Sequence, residues 1–152
     1  MKISKFQIAV LIGILTVILV AWIDLQGLNL IGEKYTNGEF PNIVWQHHLL
    51  TAIIIFLIPS LCYCLFRKDK SEAIAIFLSG FIMFYFGLAD IFYFWLQGKM
   101  IPVELPWLMG QPIISRISLF LGEIVTNISL IVSTIMGGII VYFTTKYLKE
   151  KL

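Results

Sequence analysis

The sequence predicts an all-α polytopic membrane protein, a bundle of four transmembrane helices with both termini cytoplasmic and two outer loops, the second Pro-rich and interfacial. Three observations predict it. Of 152 residues, 59% are hydrophobic and only 13% charged, with a mean hydropathy of +0.93, far from the balance of a soluble domain. Four apolar runs, about 6–24, 44–66, 72–97 and 113–147, each hold the roughly 20 residues that cross about 30 Å of hydrocarbon. The basic residues alternate between the two sides of these runs. Lys2, Lys5, Arg67, Lys68, Lys70, Lys146, Lys149 and Lys151 fall on one side, against Lys34, Lys99 and Arg116 on the other, which sets the richer side in the cytoplasm. No repeat or second composition is visible, so residues 1–152 read as a single four-helix transmembrane domain.

Each element has its own signal. The first run follows "MKISK" like the core of a signal peptide, but it is longer than the usual h-region and no small-x-small site follows, so it reads as a retained helix. The first outer loop holds Asn37-Gly38, the dipeptide of a two-residue hairpin over the bundle mouth. Helix two carries "WQHHLLT" at its outer end and Pro59 lower down, where a kink frees a carbonyl. The inner turn "RKDKSE" is short enough to make helices two and three an antiparallel pair. Helix three is the most aromatic element, and "GKMIPVELPWLMGQP" after it combines Pro102, Pro106 and Pro112 with Trp107, which breaks helix yet favours the interface. Helix four carries the most polar face: Arg116, Glu123, Asn127 and Thr134 on one stripe, with Ser118, Gly122, Thr126, Ser133 and Gly137 beside it.

Helical rise turns sequence separation into height. From Lys5 to Asp24, Arg67 to His48, Lys70 to Asp90 and Lys146 to Glu123, the rise comes to roughly 28 to 35 Å. Each helix therefore brings one ionisable side chain to nearly one layer, near the outer hydrocarbon boundary. A layer so close to the headgroups also admits ordinary interfacial polar residues. Asp90 and Glu123 resist that reading because apolar sequence continues beyond both, and an intramembrane carboxylate normally faces the bundle interior. His47 and His48 point about 100° apart on a helix, so one of them faces a shared centre.

Asp90 and Glu123 are thus the candidate catalytic pair, with Asp24, His47, His48, Arg116, Asn127 and Tyr93 as candidate ligand-binding residues. Oxygen and imidazole donors at Asp90, Glu123 and His48 suit a divalent metal; two crowded carboxylates equally suit metal-free acid and base chemistry. The aromatic wall from Phe84 to Trp95 suits an acyl or isoprenoid chain, and it also suits a plain lipid-facing surface. The reading is a small membrane protein with an outward-facing carboxylate/histidine site for a cation or an amphiphilic ligand, a membrane enzyme acting on lipid or lipid-linked substrate in its catalytic form. The alternatives are a proton- or cation-coupled transport component working as a dimer, and a non-catalytic subunit whose polar stripe meets another membrane protein. The short loops suit a prokaryotic plasma membrane.

Other classes find no support. There is no basic patch with interleaved aromatics for nucleic acid. Both histidines share one helix, which disfavours bis-histidine haem within one chain, and no lysine sits mid-membrane for a Schiff base. Cys62 and Cys64 lie toward the reducing side and lack thioredoxin-like spacing. HExxH and GxSxG are absent. "FGLAD", Phe86 to Asp90, resembles the F-N-x-A-D segment of signal peptidase II; Gly87 replaces the asparagine, the companion G-N-x-x-D-R pattern is missing, and the segment falls on the third helix, not the fourth. No catalytic assignment follows from it.

Overall fold

A computed structural model of the chain describes residues 4–31, 42–122 and 124–151, with the side chains of 28–31 and 42–47 outside that description. The order is α1 (Lys5–Ile31), α2 (Asn42–Arg67), α3 (Lys70–Tyr85), α4 (Leu88–Leu96), a 3₁₀ turn (Pro106–Gly110), α5 (Pro112–Leu121) and α6 (Asn127–Lys151). Among the described residues the only strand-like pairing is one isolated antiparallel bridge between Glu104 and Thr126. The Asn37-Gly38 hairpin expected from sequence lies outside the described residues.

Three helices, α1, α2 and α6, are long and apolar enough to cross a membrane, and α3 with α4 makes a fourth if the pair is taken as one span bent by 75°. Local chemistry starts them well. Ser4 and Gln7 cap α1 reciprocally: the Gln7 N–H donates to Ser4 Oγ at 3.2 Å and the Ser4 N–H to Gln7 Oε1 at 2.9 Å. Asp69 caps α3, its carboxylate accepting from the Glu72 N–H at 3.1 Å.

α3 is the central post. Small residues let α1 cross it at backbone distance: a Cβ on Gly13 would overlap Ile76 O and Ser79 Oγ, and one on Gly80 would stand 2.7 Å from Gly13 O and from Phe56 Cδ1. The Ser79 hydroxyl reaches Val10 O across this seam at 3.2 Å while bonding its own helix at Ala75 O. α2 runs antiparallel on another flank, with Ser60 Oγ donating to Ala73 O at 2.7 Å, Tyr63 OH to Glu72 Oε2 at 2.7 Å, and His48 beside Phe84 at the far end. α6 closes a third flank where Gly137 meets Phe86 and Met83. These directions gather the basic ends of α1, α2, α3 and α6 at one end of the bundle.

Two elements differ from the sequence expectation. The third run, 72–97, is broken: Phe86 ends α3, Gly87 takes a left-handed conformation with φ 93°, and α4 leaves at the 75° angle. Only glycine adopts that conformation without strain, and a Cβ there would also strike Leu130 Cδ1. Thr134 on α6 donates to the Phe86 carbonyl at 3.2 Å, so one backbone acceptor at the break finds a partner.

The fourth run, 113–147, is likewise two helices. α5 ends at Gly122, φ 130°, and α6 starts anew after a reciprocal cap in which the Thr126 N–H donates to Ser129 Oγ at 2.9 Å and the Ser129 N–H to Thr126 Oγ1 at 3.3 Å. The extended stretch before the 3₁₀ turn ties this gap down, Leu105 N–H to Val125 O at 2.8 Å and Asn127 N–H to Val103 O at 3.0 Å.

The core divides accordingly. Val17, Val20, Ala21, Ala52, Phe56, Met83, Phe84, Ala89 and Val141 fill the bundle. A second cluster of Phe94, Leu105, Leu108, Ile114, Val125 and Leu130 holds α4, the 3₁₀ turn, α5 and the start of α6 together as a cap on the end away from the basic residues. α4 belongs to both, presenting Leu88 and Phe92 to the bundle and Phe94 to the cap.

Candidate functional site

Asp24 of α1 and His48 of α2 come together where the cap joins the bundle, with Asp90 of α4 within electrostatic reach of both. Asp24, seven residues short of the end of α1, and His48, in the second turn of α2, form an ion pair with Nδ1 2.7 Å from Oδ1. Both remain partly open, at 23% and 25% exposure. The histidine ring leans on Phe84 of α3, centroids 5.3 Å apart and planes at 44°, which fixes the imidazole from its apolar side. Asp90 approaches from α4, and His48 and Asp24 are the charged groups that act on it.

The break at Gly87 places Asp90 at the start of a new helix. It stands in the first turn of α4, partly buried. The bend turns α4 by 75° and packs it against α1, the helix that carries Asp24.

Arg116, Tyr93 and Asn127 do not join this cluster. Arg116 is exposed on α5. Tyr93 packs in the cap, edge-to-face with Phe94 at 5.4 Å and 89°. Asn127 opens α6 with its N–H on Val103 O. The stripe expected to run from Arg116 through Asn127 to Thr134 assumed one continuous helix, and the break between α5 and α6 dissolves it. Glu123 lies outside the described residues, as does the side chain of His47. Among the described residues no three His, Cys, Asp or Glu side chains are placed to hold a metal ion; the metal set Asp90, Glu123 and His48 includes one that is not described.

Comparison of the chain with protein-family models, with curated proteins and with solved structures finds no match. Its chemistry therefore has to be argued from the cluster itself.

Sequence reasoning missed two residues that build the site. Phe84 reads as one aromatic among many, and only the approach of α2 makes it the wall behind His48. Gly87 lies three residues before Asp90 within an apolar run, and in sequence it is one small residue among many, although an isolated glycine followed three residues later by an acid is also what a new helix start looks like.

Proposed function

We propose that the chain is a multi-pass integral membrane protein of four spans, termini in the cytoplasm, whose Asp24, His48 and Asp90 bind a cationic group near the outer face: a small cation or the positively charged head of an amphiphilic ligand. One observation supports this reading, the contact of Asp24 with His48 on a partly open spot walled by Phe84, with Asp90 of α4 within electrostatic reach. Intramembrane ionisable groups are rare and functional by default, and an organic cation also gains from aromatic surroundings. The same groups would serve a membrane enzyme acting on lipid or lipid-linked substrate, one carboxyl giving a proton where the imidazole takes one.

The test uses a lipophilic cation, tetraphenylphosphonium, and Zn²⁺ as probes on the chain purified in non-ionic detergent. Removing one carboxylate from such a cluster is expected to weaken binding by about tenfold or more, about 1.4 kcal/mol. Asp90→Asn and Asp24→Asn should each show that loss for tetraphenylphosphonium, and Glu104→Gln, exposed on the cap, should not. Equal binding by all four proteins ends the proposal.

A second reading, a component of proton- or cation-coupled transport acting as a dimer, is favoured by the broken span. Discontinuous helices whose half-helix termini face a site near the bundle centre are the usual device of secondary transporters. Proton-coupled flux in proteoliposomes, abolished by Asp90→Asn, would select it over simple binding.

A further inference from the structure

α3 buries one face and leaves the other open. Ala73, Ile76, Ser79, Gly80 and Met83 are buried where α1, α2 and α6 pack on it. Lys70, Ile74, Phe77, Phe81 and Tyr85 follow at four- and three-residue spacing, so they form one stripe along the opposite side, and none of them is buried. Three of its rings make a continuous strip: Phe77 stacks on Phe81 with centroids 5.8 Å apart and planes at 6°, and Phe81 on Tyr85 at 6.1 Å and 21°. The foot of the stripe is a cation, Lys70, and Arg67 and Lys68 are exposed in the turn just before it.

No acid neutralises that foot. The two carboxylates of the turn are engaged elsewhere, Asp69 by the Ser71 hydroxyl and the Glu72 N–H, and Glu72 by the Tyr63 hydroxyl at 2.7 Å. Among the described residues no carboxylate lies within ion-pair distance of Arg67, Lys68 or Lys70. Lys5 of α1, close enough to act on Asp69, adds a further positive charge, so the cations of this corner outnumber Asp69 and Glu72. The length of the stripe says what lies along it. From Lys70 to Phe81 the helix rises about 17 Å, and one leaflet of a bilayer holds about 15 Å of hydrocarbon. A phospholipid standing beside α3 with its phosphate at Lys70 therefore lays an acyl chain over Ile74, Phe77 and Phe81. A second copy of the chain fits worse, because pairing about a two-fold axis along the bundle sets like residues face to face, Lys70 against Lys70.

We propose that the α3 stripe from Lys70 to Phe81 binds an anionic phospholipid of the leaflet at the basic end, with its phosphate on Lys70 and Arg67 and one acyl chain on the stacked rings. The site lies at the opposite end of the bundle from Asp24, His48 and Asp90, and it stands whatever those residues bind.

The full chain, delipidated in non-ionic detergent and titrated with phosphatidylglycerol or phosphatidylcholine, tests it, with bound lipid counted by native mass spectrometry. The worth of a cation at a lipid surface sets the expected result: phosphatidylglycerol binds wild type about tenfold or more tighter than phosphatidylcholine, Lys70→Gln weakens phosphatidylglycerol about fivefold, and Lys70→Gln with Arg67→Gln about 25-fold, while phosphatidylcholine changes by less than about twofold. Phe81→Ala should weaken both lipids, because it breaks the strip and leaves the charge. Ile74→Ala, at a side chain already exposed, gives the same reading if Phe81→Ala fails to fold. Lys99→Gln, exposed beyond the end of α4, should change neither lipid. Equal affinity of wild type for the two lipids overturns the proposal, as does a phosphatidylglycerol preference that survives the double replacement. A wild-type dimer that Phe81→Ala or Ile74→Ala makes monomeric overturns it too, by putting a second copy on the stripe.

Discussion

Asp69 shows how one side chain starts a span. Its carboxylate takes the Ser71 hydroxyl at 2.7 Å and the Glu72 N–H at 3.1 Å, satisfying a donor that the first turn of α3 would otherwise leave bare. Asp69→Ala should lower stability by about 0.5 to 2 kcal/mol, and Asp69→Asn by much less, because an amide oxygen caps nearly as well. Unfolding in mixed detergent and dodecyl sulfate micelles would read both. The same bonds set a pH dependence. The Ser71 hydroxyl first, then the Glu72 N–H, hold the Asp69 carboxyl below its ordinary value, so the folded chain binds that proton less readily than the unfolded chain. Its contribution is therefore complete above the usual carboxylate value of about 3.9 and is lost as pH falls through the lower, folded value. The stability difference between wild type and Asp69→Asn should narrow between pH 6 and pH 3, and a difference that stays constant would show that the hydrogen bonds do not discriminate the two protonation states.

The elements meet through glycines of two kinds, and substitutions should separate them. At Gly13 and Gly80 the backbone conformation is ordinary and the constraint is space, since α1 and α3 touch there. Gly13→Val should force the helices apart at about 1 to 3 kcal/mol, and Gly13→Ala should already be felt because the Cβ itself overlaps Ile76 O. At Gly87 the constraint is also conformational. Gly87→Ala adds about 1 to 2 kcal/mol for a left-handed residue to its collision with Leu130, and it should weaken cation binding along with stability by disturbing how α4 presents Asp90. Thr134→Val, which removes only the bond to Phe86 O and the one to Leu130 O, should cost about 0.5 to 1.5 kcal/mol and leave binding near wild type. These two breaks also mark the limit of what the sequence reveals. The common layer of Asp24 and His48 is legible because α1 and α2 are unbroken from the basic end to the pair, so residue counts convert directly to height. Counting to Asp90 crosses the break at Gly87, and counting back from Lys146 to Glu123 runs past the start of α6, so neither carries that warrant. In an apolar run, a glycine and a Thr-x-x-Ser box look the same whether they pack against a neighbour or end one helix and begin another. What decides it is tertiary, the bonds from Leu105 to Val125 and from Asn127 to Val103 across 20 and 24 residues of sequence.

At the scale of the whole molecule, the antiparallel packing of α2 and α6 against α3 brings Lys5, Arg67, Lys68, Lys70, Lys146 and Lys149 to one end and leaves Lys99 and Arg116 on the cap. The asymmetry matters twice. In the orientation proposed above it sets which end stays in the cytoplasm, because clustered lysine and arginine beside a span resist translocation whereas acidic groups count for little. It also keeps strong positive charge away from the cluster, so the cation binding proposed for Asp24 and Asp90 is not opposed at long range; the exposed charges at the basic end lie several screening lengths, at about 8 Å each, from His48. Both consequences follow from one arrangement and can be checked together in a cysteine-free background. A thiol reagent that does not cross membranes should label Glu104→Cys in intact cells and Ser71→Cys only in inverted vesicles, because Glu104 is on the cap and Ser71 opens α3 beside the basic turn. Replacing Arg67, Lys68 and Lys70 together with Gln should then raise the fraction of molecules labelled at Ser71→Cys from outside, while tetraphenylphosphonium binding to correctly oriented protein stays within about twofold. If the charge replacement leaves orientation untouched, the basic residues do not set it. If it changes binding tenfold, the two ends of the bundle are coupled far more strongly than screened charges allow.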